Sequence, residues 1–278
     1  MDTRTKPAPR VRRPAVAGYY YPADPAVLEE TLDALLGGTP AVPTPAQALI
    51  VPHGSFRHAG AIAAAALAAV RIPRRCILLG PSHTGSWMPW SIMEDGAYRT
   101  PLGEIPIDAR GADALRARCP FLEADAWAQP GEHAIEVMLP FLQRLAPPEL
   151  TIVPIIAGSR DPEEFARLAE ALAQVVRLQE EPVLLIASSD LSQHEPRERG
   201  AEQDRALLEA ICTLDGARLL RCARERSVVM CGDGVTACVL DAARFLGATQ
   251  ATVIRYGTSA ERGGDPGSTT GYAGVVIQ

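Results

Sequence analysis

Short apolar runs alternate with longer amphipathic stretches along the whole chain. The runs at 48–51, 76–79, 150–156, 183–187, 251–256 and 272–277 are mostly rich in Val, Ile and Leu, with Gly, Pro or Ser at one end or both. That pattern predicts buried strands. Between them, apolar positions recur with a helical period over 25–36, 61–70, 133–145, 162–178, 202–212 and 234–246. Asp24 and Asp161 precede the first and fourth of these stretches as N-caps, each followed by a proline at the first helical position. Strand and helix in alternation predict one α/β domain with a mainly parallel sheet covered on both faces. Residues 90–108 break the rhythm. There the segments 92–94 and 104–107, with Thr100-Pro101-Leu102-Gly103 between them, predict a hairpin.

A chain of 278 residues buries a core without needing a metal or disulfide staple. No Gly/Ser linker divides it, so residues 13–278 are expected to form a single domain behind a frayed arm at 1–12. The net charge of −6 argues against nucleic acid, which needs a basic face. The Arg-rich stretch at 4–13 has no apolar segment beside it, so it reads as a terminus and not as a secretory signal. No run approaches the roughly 18 apolar residues of a membrane-spanning helix. The six cysteines contain no CxxC pair and read as reduced thiols of a cytoplasmic protein.

Ligands of open α/β sheets bind beyond the carboxyl ends of the strands. The first predicted strand runs into Pro52-His53-Gly54 and the second into Gly80-Pro81-Ser82-His83. The run at 183–187 ends in Ser188-Ser189-Asp190, with His194 just beyond. Three of six predicted strands thus deliver an imidazole or a carboxylate to one edge. All five histidines (His53, His58, His83, His133, His194) fall in segments that can reach it. Imidazoles with a carboxylate and open positions suit a non-haem Fe(II) or similar divalent ion. Glu132-His133-Ala134-Ile135-Glu136 lacks the second histidine of HExxH and by itself reads as the polar first turn of a helix. Loops of the GxGxxG, GxxxxGK[ST] and GxSxG types are absent, which disfavours dinucleotides, P-loop phosphate transfer and an α/β-hydrolase nucleophile. Cys231 precedes the last long helix, where the helix dipole favours a thiolate. A small buried hydrophobe is its other reading, and spacing leaves both open.

Several of these motifs occur together in a known order. Arg13-Pro14-Ala15-Val16-Ala17-Gly18-Tyr19-Tyr20-Tyr21-Pro22, Gly80-Pro81-Ser82-His83, Tyr98-Arg99-Thr100-Pro101-Leu102-Gly103 and Glu132-His133-Ala134-Ile135-Glu136 come first. Ser188-Ser189-Asp190-Leu191-Ser192, Met230-Cys231-Gly232 and Gly271-Tyr272-Ala273 follow. From Arg13 to Ile277 the chain resembles the MEMO family. The resemblance implies a three-layer α/β/α fold similar to the class III extradiol (LigB-like) dioxygenases. It implies a metal site of two histidines and a cysteine, which map to His53, His83 and Cys231, holding Fe(II) or Cu. In prokaryotes it implies the AmmeMemoRadiSam setting, with AMME-region-type and radical SAM proteins as partners. A eukaryotic member is associated with iron or copper and with phosphotyrosine-peptide binding.

The sequence departs from the family pattern at several places. The usual PHAGYxYSG stretch reads Pro52-His53-Gly54-Ser55-Phe56-Arg57-His58-Ala59-Gly60. Gln193 stands where a histidine usually follows SSDLS, with His194 displaced by one; Ala134 replaces a serine; and the YxxSGD segment reads Tyr256-Gly257-Thr258-Ser259-Ala260-Glu261. Two functions are weighed. In the first, an oxidoreductase of dioxygenase type uses a metal on His53, His83 and Cys231, with His133, Asp190 or His194 as general acid or base for a small-molecule substrate. In the second, a metal-binding or interaction protein keeps the scaffold without turnover and binds a peptide or protein partner. Fold analogy does not choose between them.

Overall fold

A computed structural model describes residues 11–38, 42–85, 89–124 and 129–278. The chain order is β1 (Val11–Arg12), α1 (Pro25–Leu36), β2 (Ala48–Val51), α2 (Gly60–Ala68), β3 (Arg75–Pro81) and β4 (Trp90–Ile92). Then come β5 (Ala97–Thr100), β6 (Gly103–Pro106), α3 (Ala109–Arg116), β7 (Glu123–Ala124), α4 (Leu139–Leu145), β8 (Thr151–Ala157) and α5 (Pro162–Arg177). The last elements are β9 (Val183–Ser188), α6 (Arg197–Ile211), α7 (Gly216–Glu225), α8 (Asp233–Phe245), β10 (Ala251–Thr258) and β11 (Gly271–Ile277).

The main sheet has eight strands in the order β10-β11-β2-β9-β3-β8-β4-β7. Its centre, β2, β9, β3 and β8, is parallel; β11 and β4 run antiparallel to it on either side. The fold is therefore the expected mixed α/β type. Alternate residues of one strand enter opposite cores, as the period of two requires. Ile77 and Leu79 of β3 pack with α3, α5, α7 and α8, while Cys76 and Leu78 pack with α1, α2 and α4. Helices on both faces explain why the central strands read as unbroken apolar runs.

The Asp24 and Asp161 caps hold: each carboxylate accepts backbone N–H bonds from the first helical turn. α2 is built of alanines because it lies directly on β11. A Cβ at Gly274 would stand 2.6 Å from the Cβ of Ala66. This close packing fixes the loop that carries His53 from β2 to α2.

Three expectations are corrected. The hairpin is formed by β5 and β6 about the Thr100–Gly103 turn, because a turn that tight pairs only the strands that adjoin it. The 92–94 segment instead starts from β4, which joins the main sheet beside β8, burying Trp90, Ser91 and Ile92. The helix expected over 133–145 starts only at Leu139, after a 3-10 turn at Glu136–Met138. The Glu132 carboxylate caps the backbone N–H groups of His133 and Ala134, which leaves His133 in a turn. Of the arm expected over 1–12, residues 1–10 lie outside the described residues. Val11 and Arg12 pair with β5, and the Arg12 side chain is buried.

Among the described residues no helix is long and apolar enough to cross a membrane. Asp204 on α6 is buried, accepting bonds from the Ser192 N–H (2.8 Å) and the Tyr256 hydroxyl (2.8 Å). Burial raises its carboxyl above the ordinary value, against the pull of those two bonds. A raised folded pKa makes the stabilising contribution complete below the unfolded value of about 4 and loses it as pH rises through the folded value. Asp204→Asn is expected to flatten that descending part of the urea midpoint against pH. A profile identical to that of the parent protein would contradict the assignment.

Candidate metal centre

The carboxyl ends of β2, β3 and β9 converge on a cavity of about 490 Å³, and all five histidines of the chain line it. His53 follows β2 and is 2% exposed. Its Nδ1 lies 2.8 Å from Ser188 Oγ, and that hydroxyl donates to the Ala134 carbonyl at 2.6 Å. The hydroxyl proton being so committed, Ser188 accepts from His53 Nδ1–H. The Nε2 lone pair is thereby left free.

His83 follows β3 and is fixed in the same way. Its Nδ1 bonds Glu132 Oε1 at 2.9 Å, and its backbone N–H donates to the other carboxylate oxygen. Glu132 also accepts from the backbone of His133 (2.8 Å) and Ala134 (2.9 Å). Burial pushes the Glu132 carboxyl up, but the His83 and backbone bonds outweigh it and hold it below the ordinary value. Its charge is thus settled by the donors around it.

His133 completes the cluster. Its ring centroid lies 4.5 Å from that of His83 and 5.5 Å from that of His53, with Tyr20 edge-on at 4.9 Å. One nitrogen from each of the three rings falls within 4.8 Å of the others. Burial, with His83 close by, lowers the pKa of both His53 and His133, so both are neutral near pH 7, the form that coordinates a metal.

Cys231 stands behind His53 at the start of α8. Its Sγ is 3.3 Å from His53 Nε2 and accepts the Asp190 N–H at 3.4 Å. Burial, then the nearby Asp190, pushes the thiol well above its usual pKa. Among the described residues the three-donor cluster consists of histidines, and Cys231 touches it through His53. Asp190, at the end of β9, accepts the backbone N–H groups of His53 (2.9 Å) and Gly54 (3.3 Å). Its second oxygen lies 3.9 Å from His53 Nε2, and burial raises its pKa to about 7.

His194 lines the same cavity from a left-handed backbone conformation, φ 59°. The chain on both sides of it is clamped. Ser192 and Leu191 exchange bonds with Gly271, and Glu195 with Thr269. These bonds hold His194 in a conformation that non-glycine residues seldom adopt. The expected residues His53, His83, His133, Asp190 and His194 therefore share one cavity.

The sequence alone does not mark Glu132, Tyr20 or Ser188 as partners of the histidines. The Glu132-His133 pair in its motif was the available signal for the first. Ser188 and Tyr20 each stand in an ordered motif, but nothing local names their partners, which lie 135 and 113 positions away along the chain.

The donor set fits an ion. Each of His53 and His83 has its outer nitrogen tied to an oxygen, the arrangement that orients metal-binding imidazoles, and the cavity is open on one side for further ligands.

The family described as Memo-like protein matches residues 12–276. The chain is 34% identical to a MEMO1 family protein of Methanopyrus kandleri, over 96% of this chain and 99% of that one. It is also 34% identical to a MEMO1 family protein of Aquifex aeolicus, over 96% and 99%, and 35% identical to one of Sulfolobus acidocaldarius, over 95% and 98%. Matched over nearly its whole length, with its histidines gathered at the ends of the central strands, the chain belongs to the MEMO family.

Proposed function

We propose that the protein binds a redox-capable transition metal, Fe(II) or Cu, through His53, His83 and Cys231. The observation that carries this reading is the pair of outward-tied imidazoles, with Cys231 Sγ 3.3 Å from His53 Nε2. Two donors on one tetrahedral ion, with bonds of about 2.0 and 2.3 Å, stand roughly 3.5 Å apart. A second reading, favoured by the convergence of its ring, makes His133 the third donor.

A bound ion would supply Lewis acidity and one-electron chemistry there. The chain's own groups then have separate tasks. Asp190, with a pKa of about 7, takes or gives a proton at Oδ2 beside His53. His133 Nε2 or Nδ1 accepts a proton in its neutral form, and Tyr20 keeps its ring in place. His194 presents its imidazole from the wall for a substrate hydroxyl or carbonyl. Binding without turnover is the reading we favour over dioxygenase-like activity, since a thiolate softens the site relative to a hard carboxylate. Partnership with AMME-region-type and radical SAM proteins is part of the same proposal and rests on family membership.

Anaerobic metal titration of the parent protein, Cys231→Ser and His133→Ala tests the donor set. Thiolate ligation releases a proton, and burial holds the thiol protonated through neutral pH. Affinity is therefore expected to fall by about tenfold per unit as pH drops. Cys231→Ser should lower Cu(I) affinity by roughly tenfold or more and Fe(II) affinity by less, with unchanged circular dichroism. Full affinity in Cys231→Ser together with loss in His133→Ala would replace this set by the three-imidazole one. Oxygen uptake with catechols present, in the iron-loaded protein, would restore the oxidoreductase reading.

A further inference from the structure

β10 closes one end of the main sheet, and its outer edge pairs with no strand among the described residues. Such an edge is a template for another chain, and proteins usually blunt it with prolines, charges or brevity. This one is eight residues long, has no proline and carries a single charge, Arg255. Beside it, α6 and its C-cap residue present Ala201, Arg205, Leu208 and Cys212, spaced by four, three and four residues. That spacing is one continuous stripe, the seam on which two helices pack. With Val253 and Tyr256 of β10 the stripe walls an apolar groove of about 410 Å³, and Ile254 at the strand's irregularity is 39% exposed.

The charges on this face single out the occupant. Arg205 and Glu209 are both exposed, stand one helical turn apart and form no ion pair among the described residues, with each other or with a neighbour. We propose that a second copy of this chain docks here about a twofold axis, β10 antiparallel to its twin and α6 against its twin.

A twofold contact must be self-complementary. Antiparallel α6 helices set Arg205 of each copy opposite Glu209 of the other, so the Arg–Glu turn is its own complement. In β10, a register that pairs Thr252 with Arg255 keeps the two Arg255 side chains apart, since like charges directly opposite are destabilising. The stripe buries Leu208 and Ala201 in the seam, and the eight strands of each copy join into one continuous sheet. The cavity with the five histidines lies at the carboxyl ends of the central strands, outside this contact, so each copy keeps its own site.

Sedimentation velocity of the purified full chain over a range of concentrations tests the proposal. The parent protein is expected at twice the mass of one chain. Arg205→Glu and Glu209→Arg should each raise the dimer dissociation constant by about tenfold or more, and the double exchange Arg205→Glu/Glu209→Arg should bring it back. Both side chains are exposed, so circular dichroism should not move in any of these variants. The melting temperature should fall only as far as loss of the partner lowers it, and recover in the double exchange. Ile254→Pro, which puts a proline on the unpaired edge strand, should also yield monomers. A parent protein that stays monomeric at every concentration would overturn the proposal, and so would a dimer indifferent to Arg205→Glu or a double exchange as weak as the single ones.

Discussion

Replacing Glu136 by alanine is expected to cost about 3–5 kcal/mol of stability, the usual loss when one partner of a buried ion pair is removed. Glu136 is 0% exposed and Arg12, which donates to it, is 5% exposed. The same carboxylate accepts the backbone N–H groups of Ala15 (2.7 Å) and Val16 (3.0 Å) and the Tyr21 hydroxyl (2.6 Å). Alanine would strand four donors and leave a guanidinium in the interior. Arg12 would keep two bonds, to the Gln129 and Glu132 carbonyls, which do not balance its charge. Urea unfolding of the metal-free protein gives the number directly. A loss of less than about 1 kcal/mol, the worth of an exposed pair, would mean that water enters the clamp.

Glu132→Gln is expected to weaken metal binding by about 10–100-fold while the fold persists, as is usual when the oxygen partner of a metal-binding histidine is altered. The substitution is nearly isosteric, and an amide oxygen still accepts the His133 and Ala134 N–H groups. Its NH₂ group, however, would face the His83 backbone N–H that the second carboxylate oxygen accepts, and a neutral amide oxygen holds the His83 Nδ1–H less strongly than a carboxylate does. The His83 backbone and ring would then be held less firmly, and Nε2 with them, the nitrogen left for the ion. Competition titration measures the affinity, and nitrogen chemical shifts of His83 report how strongly its Nδ1–H is held. Unchanged affinity with a weakened Nδ1–H bond would remove His83 from the ligand set.

These two carboxylates mark the division between what was local and what was not. The sequence by itself determined the alternation of strands and helices, the Asp24 and Asp161 caps, and the delivery of His53, His83 and Asp190 to one sheet edge. All of these follow from short-range rules: apolar period, cap chemistry, and the fact that residues just past parallel strands emerge on the same side. It also carried the ordered motifs by which the family was recognised.

The tertiary structure decided the rest. Periodicity that continues into Leu139–Leu145 predicts a helix from His133, and only the folded chain brings the Glu132 carboxylate onto its backbone. The pairing of Arg12 with Glu136 joins positions 124 residues apart, and nothing in either neighbourhood predicts the other. The same holds for Ser188, whose hydroxyl fixes the tautomer of His53 from another strand. The pattern around 92–94 predicts a hairpin strand because sequence shows the turn but not which edge is free, and β4 joins the main sheet instead. Periodicity records which face of an element is buried. It does not record which distant group buries it, and in this chain those distant groups orient the imidazoles and set their charge.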